Sequence, residues 1–268
     1  MSLGGVDQAP NGNPIRQRLA LGENLVGGWC TLPTSFAAEL VCHAGVDYAV
    51  VDMQHGLTGY SDLIAMLQAI GSTGVTPLVR IPFQDYGLAQ RALDAGAYGL
   101  VFPMISTREL ALEAVNSCRY PPMGERSYGP IRSRMFLGTD PNLVNQEVLC
   151  LVQIETRLAM ENLEDILTTD GVDGVYVGPA DLALSHQLPI GEATEEHDDM
   201  LRLIAEKCRT LGRIPGIHMT SGQEARKAFS LGYVMCSVGS DAVWLRAGYA
   251  SQIAEAKSTS SRSEGGFY

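Results

Sequence analysis

A chain of 268 residues, 46% of them hydrophobic, can bury a substantial core and lies within the range of one barrel domain. Its formal net charge of −11 argues against nucleic acid or an anionic membrane as a partner, because neither attracts a surface of that sign. The six cysteines, Cys30, Cys42, Cys118, Cys150, Cys208 and Cys236, show no CxxC spacing and lie in apolar runs, and neither a membrane span nor a signal peptide is legible, so a soluble cytoplasmic protein is expected.

Residues 1–13, rich in Gly, Asn and Pro, read as a disordered leader, and 258–268 as a tail of the same kind. Between them, 14–257 alternates short apolar or β-branched runs with amphipathic helical stretches, about eight times over, which is the pattern of an α/β chain closing as a (β/α)8 TIM barrel. The expected strands are 25–30, 48–52, 76–81, 99–103, 149–155, 174–177, 214–218 and 234–238, with little internal alternation, as in parallel strands covered on both faces. Helical spacing between them is clear in Leu63, Met66, Leu67 and Ile70, and again in Leu88, Arg91, Ala92 and Ala95. Gly96 and Gly232 sit where such helices should end. The connection 118–147 is longer than barrel geometry requires, and long ordered loops are often functional. The last helix, 241–257, offers Val243, Trp244, Ala247 and Ile253 as a packing face, so it either closes this barrel or docks on a neighbouring subunit.

Read in order, the strand ends present Trp29, Asp52 with His55, Arg80, Glu155 and Asp181. In an α/β barrel such positions face the active-site mouth. Glu155 and Asp181 form a candidate site for a hard divalent cation, which takes a few carboxylate oxygens and keeps open positions for a chelating substrate. Each residue also has a plainer reading. Asp181 is placed like a helix N-cap, His55 like a hydrogen-bonded structural histidine, and Arg80 like a bridge between rim carboxylates. Glu155 is harder to dismiss, since a Glu seldom ends so apolar a strand without a partner.

The set becomes coherent for a 2-oxo acid. A cation on Glu155 and Asp181 would chelate a carboxylate oxygen and the 2-oxo oxygen, and Arg80 would add positive charge where the enolate develops. His55, oriented by Asp52, would manage a proton, and the backbone N–H groups of Ala180 and Asp181 would receive the substrate carboxylate. No lysine stands at these strand ends, which disfavours a Schiff-base mechanism.

From about residue 13 to 256 the chain resembles the HpcH/HpaI family of class II, metal-dependent pyruvate aldolases. The resemblance rests on Gly28-Trp29, Val51-Asp52-Met53-Gln54-His55-Gly56, Leu78-Val79-Arg80, Gly99-Leu100-Val101-Phe102-Pro103-Met104, Arg119-Tyr120-Pro121-Pro122, Val152-Gln153-Ile154-Glu155-Thr156 and Gly178-Pro179-Ala180-Asp181-Leu182, in that order. It implies a pyruvate-binding barrel that cleaves a 4-hydroxy-2-oxo acid to pyruvate and an aldehyde, using Mg²⁺, Mn²⁺ or Co²⁺. It further implies Glu155 and Asp181 as metal ligands, Arg80 on the pyruvyl oxygen, and His55 with Asp52 in acid–base work. Gln153, Gly178, Pro179, Ala180 and Trp29 would line the substrate site. Asp94 matches an acid offered to the histidine of an adjacent subunit, which implies a homotrimer or homohexamer with an exchanged last helix; its plainer reading is an ordinary surface acid.

Three features depart from the family pattern. Gln54 stands where a Glu is common, and His218 where an aliphatic residue often faces the substrate's hydroxyl end, as either a pocket residue or a rim histidine. The segment 127–145 does not align. Competing activities on the same framework are a CoA-ester lyase like citrate lyase β, for which no basic cluster is evident, an oxaloacetate-type decarboxylase, and ring building as in macrophomate synthase. A non-catalytic metabolite-binding barrel remains the alternative outside enzymes.

Overall fold

A computed structural model describes residues 12–192 and 194–258, so most of the leader and tail lies outside the described residues. Eight parallel strands among them close in chain order: β1 (Leu25–Cys30), β2 (Tyr48–Asp52), β3 (Thr76–Arg80), β4 (Gly99–Phe102), β5 (Leu149–Val152), β6 (Gly174–Val177), β7 (Ile214–Ile217) and β8 (Met235–Ser240). Helices follow the strands and run back along the outside, as the alternating pattern requires. The helix Tyr60–Ser72 buries Leu63, Met66, Leu67 and Ile70, the stripe legible in the sequence.

Residue parity explains where the site forms. Alternate residues of a strand face opposite sides. Leu25 and Trp29 of β1, Tyr48 and Val50 of β2, Leu78 of β3, Val101 of β4, Leu149 and Leu151 of β5, Tyr176 of β6 and Met235 of β8 fill the lumen. Their neighbours, among them Val51, Val79, Phe102, Val152 and Val177, pack outward beneath the helices. On β2, β3, β5, β7 and β8 the inward parity carries a polar residue toward the carboxyl end, Asp52, Arg80, Gln153 and then Glu155, His218, and Ser237, whereas β4 and β6 run on into Pro103 and Gly178. The same rule that packs the lumen therefore aims these side chains at its mouth. Beneath them the phenol groups of Tyr48 and Tyr176 hydrogen-bond at 2.9 Å. Gly27 makes this seating possible, because a Cβ there would stand 2.3 Å from Tyr48 Cζ.

The amino end of the barrel is closed by a different polar network. Asp173 Oδ1 accepts from Arg16 Nη2 at 2.6 Å, and Oδ2 accepts from Arg119 Nη2 at 2.8 Å and from the Cys150 amide at 2.7 Å. Arg119 also donates to the Val148 and Gly171 carbonyls. Asn13 is buried there, its side chain accepting from the Ile15 amide at the start of the helix Pro14–Ala20.

All six cysteines are free and buried. Among the described residues no helix is long and apolar enough to cross a membrane. The helix Asp241–Lys257 is anchored at its first turn, where the Asp241 carboxylate accepts from the Thr31 amide and hydroxyl and Trp244 Nε1 donates to the Val238 carbonyl. None of its residues is buried, so its apolar face does not close the barrel within this chain.

Candidate active site

Asp52 and Arg80 are register partners on β2 and β3, which sets their side chains side by side at the mouth. Arg80 makes a two-pronged contact, Nε to Oδ1 at 2.9 Å and Nη2 to Oδ2 at 2.5 Å. Asp52 also accepts from Trp29 Nε1 at 3.1 Å and from the amides of Gln54 and His55 at 3.0 and 3.2 Å. Burial opposes its ionisation, but the Arg80 hydrogen bonds and charge outweigh it and hold the Asp52 carboxyl below the ordinary range. With both oxygens occupied, Asp52 is built to orient Arg80 and the following loop rather than to take a proton. Arg80 retains Nη1, 3.5 Å from Gln153 Oε1, and its guanidinium lies 4.9 Å from the Trp29 ring centroid.

The opposite side of the mouth is undersupplied. The β5 ladder stops at Val152 rather than continuing to Glu155, and Gln153 donates its amide to the Phe102 carbonyl as the chain leaves the sheet. Glu155, only 2% exposed, accepts the Met104 amide on Oε1 at 2.6 Å, while Oε2 has no hydrogen-bond partner among the described residues. Burial, and then the like charge of Asp181, push its carboxyl up to about 7 against the opposing Met104 and Arg80 contributions. Gly178 is the reason the carboxylate fits, since a Cβ there would lie 2.2 Å from Glu155 Oε2.

Asp181 does not cap its helix. Gly178 is the N-cap of Pro179–Ser185, and Asp181 stands exposed in the first turn with no hydrogen bond from its side chain among the described residues. A buried carboxylate held partly protonated, a second beside it, and a glycine that lets the first seat there together suit a hard divalent cation, whose charge would replace the proton. Among the described residues no group of three or more His, Cys, Asp or Glu converges, so protein ligands would number two.

The other expected residues are distributed more widely. The His55 ring is exposed on the loop after β2, tied to the site through its backbone. His218 packs its ring edge-on against Trp29, centroids 4.7 Å apart, and its Nδ1 lies 2.8 Å from Ser237 Oγ. Burial and the Arg80 charge bring its pKa down to about 4. Asp94 is not brought to this mouth. It ends the helix Tyr86–Asp94, ahead of β4 and so at the strands' amino ends, where it accepts from Arg126 Nη2 at 2.7 Å.

Two residues escaped the sequence reading. Met104 adopts φ +58, which aims its amide at Glu155, and nothing about a methionine announces a left-handed backbone. Ser237 is a single buried serine in an apolar run, and only its inward parity with Met235 marks it.

Known proteins are similar to this chain in sequence and architecture. The model of a family described as HpcH/HpaI aldolase/citrate lyase matches residues 26–247. A pyruvate aldolase of Rhizobium etli is 36% identical over 242 residues, covering 88% of this chain and 94% of the relative. A 4-hydroxy-2-oxovalerate aldolase of Rhodococcus jostii is 35% identical over 233 residues, 85% of this chain and 90% of the relative. Among solved structures, an HpcH/HpaI aldolase/citrate lyase family protein from Burkholderia cenocepacia superposes with a TM-score of 0.84 at 32% identity, covering 92% of this chain and all of that one (100%).

Proposed function

The chain belongs to the HpcH/HpaI aldolase/citrate lyase family as a carbon–carbon lyase, and from that premise we propose that it cleaves a 4-hydroxy-2-oxo acid to pyruvate and an aldehyde, with a divalent metal on Glu155 and Asp181. The observation that carries the metal assignment is the buried Glu155 with Oε2 unpaired and its carboxyl pushed up to about 7. When bound, the cation supplies Lewis-acid polarisation of the 2-oxo group.

This chain's own residues supply the rest. The bond between C3 and C4 breaks, its electron pair passes into the enolate of pyruvate, the C4 hydroxyl gives up its proton as the aldehyde departs, and a proton then returns to C3 to complete pyruvate. Arg80, fixed by its two bonds to Asp52, presents Nη1 to the oxygen on which negative charge grows. Gln153 stands beside that same Nη1 and helps place the 2-oxo acid. Gly178, Pro179 and Ala180 lie next to Glu155, whose carboxylate takes the space a Cβ on Gly178 would fill, and the substrate carboxylate is received at the start of the helix that follows. His55, exposed and with no partner to its ring among the described residues, is free to take the C4 hydroxyl proton.

The active form is a homotrimer or homohexamer in this reading. The uncovered Val243, Trp244, Leu245, Tyr249 and Ile253 of the last helix support it, with a second copy as their cover. Asp94 would then serve across the subunit boundary from its position at the amino end of the barrel.

Pyruvate in D₂O provides the direct test. Metal-stripped protein should leave the methyl proton signal unchanged, and added Mn²⁺ or Mg²⁺ should make it disappear through exchange at C3. Absence of exchange with either metal would remove the enolate from the mechanism.

A further inference from the structure

The loop that carries His55 is fixed by its backbone. Met53 and Thr58 are buried at its ends, but the His55 and Leu57 side chains between them are exposed, so apolar packing does not set the course of the turn. Two anchors do. At the near end the amides of Gln54 and His55 donate to Asp52 Oδ1 at 3.0 and 3.2 Å, and at the far end the Leu57 amide donates to the Thr31 carbonyl at 3.1 Å. Gly56 lets the loop fold down onto both, since a Cβ there would stand 2.1 Å from the Asp52 carbonyl oxygen and 3.3 Å from Thr31 Cα.

Thr31 is held in turn by the last helix. Asp241 Oδ1 accepts from the Thr31 amide at 2.8 Å and from its hydroxyl at 2.7 Å, and Oδ2 accepts from the Leu32 amide at 3.2 Å. A carboxylate in the first turn of a helix ordinarily serves that helix's own unpaired amides. Here Ser240 already caps the helix by accepting from the Val243 amide, and Asp241 takes only the Ala242 amide on its own side. The rest of its bonding capacity is turned outward onto the loop after β1, where its charge strengthens each bond. The contacts therefore run without a break from Asp241 through Thr31 to Leu57, two residues beyond His55.

We propose that Asp241 is a positioning residue for His55: by fixing Thr31 it sets the far anchor of the loop, and with it the place from which the imidazole works. The proposal rests on the aldolase reading, in which His55 takes the C4 hydroxyl proton, and adds a residue of the last helix to that step. The His55 ring has no partner among the described residues, so its reach is decided by the backbone beneath it. A base must come within hydrogen-bond reach of the proton it takes, and about 1 Å of misplacement can cost about 10²-fold. Glu155 and Asp181 hang on the segments after β5 and β6 and share none of these contacts.

The test follows cleavage of 4-hydroxy-2-oxopentanoate by the Mn²⁺-loaded full-length protein, with Mn²⁺ affinity read separately by titration. Asp241→Ala should lower kcat about tenfold or more and leave Mn²⁺ affinity as it was. Asp241→Asn, which keeps an oxygen for Thr31, should recover part of that loss. Thr31→Val deletes one of the hydrogen bonds and leaves the backbone in place, so it should lower kcat in the same direction by less, and it serves as the second probe should Asp241→Ala fail to fold. All these losses should vanish when the substitutions are built on His55→Ala and compared with its residual rate, because a residue acting through His55 then has nothing left to position. Losses that repeat in full on His55→Ala overturn the proposal, and so does Mn²⁺ affinity that falls along with kcat, since either marks a general loosening of the barrel. Wild-type exchange of pyruvate in D₂O separates the two levels: exchange with additive losses sinks only the Asp241 assignment, and no exchange sinks the aldolase reading and the assignment with it.

Discussion

The two ends of the barrel draw on the same kinds of side chain and use them oppositely. At the amino end, Asp173 divides its oxygens among Arg16, Arg119 and the Cys150 amide, and Arg119 spends further N–H groups on two carbonyls. At the carboxyl end, Glu155 Oε2, the Asp181 carboxylate, the His55 ring and His218 Nε2 have no hydrogen-bond partners among the described residues. A charged residue at a strand end is thus no sign of chemistry by itself. Unspent bonding capacity on carboxylates and imidazoles is the sign; at the amino end the atoms left without partners instead include Arg126 Nε and Nη1, on the guanidinium that donates to Asp94. Asp52 marks the boundary, since it lies at the mouth but is as saturated as Asp173, which suits a residue that orients Arg80.

The contrast breaks most sharply at the proposed metal ligands. Glu155→Ala and Asp181→Ala should each abolish Mn²⁺ binding, followed by metal titration, together with pyruvate exchange, and leave a folded barrel. In the wild type, Mn²⁺ affinity should strengthen as pH rises through about 7, because the Glu155 proton must leave before the cation enters. Retained binding in either variant would assign the ligands elsewhere. Arg80→Ala comes next, with an expected loss of about 10²-fold or more in kcat while Mn²⁺ affinity holds. A rate within a few-fold of wild type would leave Arg80 as nothing more than the partner of Asp52. The smallest effect on turnover belongs to the amino end. Arg119→Ala should cost about 3 kcal/mol of stability in chemical denaturation, since Asp173 loses a buried partner, with kcat of the folded protein unchanged. A fall in kcat without a fall in stability would show that this end reaches the chemistry after all.

The same division explains what was legible beforehand. All eight strands were visible as apolar runs, and β1, β2 and β6 have the expected bounds because turn residues close them on both sides. The run 149–155 was read as one strand, yet pairing ends at Val152, since apolar sequence alone does not say where a neighbouring strand stops offering carbonyls. Asp52, Arg80, Gln153 and Glu155 were legible because strand parity and strand ends are properties of the chain itself. Their partners were not. The Met104 amide reaches Glu155 through a left-handed backbone, Ser237 meets His218 across two strands, and Asp94 finds Arg126 through the long loop, all of them contacts that exist only once the barrel closes. The last helix illustrates the limit from the other side, for its apolar face suits either closing the barrel or docking on a neighbouring subunit, and among the described residues nothing buries it.

The Tyr48 and Tyr176 pair, with Trp29 above it, stoppers the lumen directly below the reacting groups. A well with a sealed floor has a single doorway. On the proposed reading, with pyruvate held against Glu155 and Arg80 and the aldehyde nearer the opening, the reactant that sits deepest would have to arrive first and depart last, so an ordered mechanism would follow, with the aldehyde released before pyruvate on cleavage.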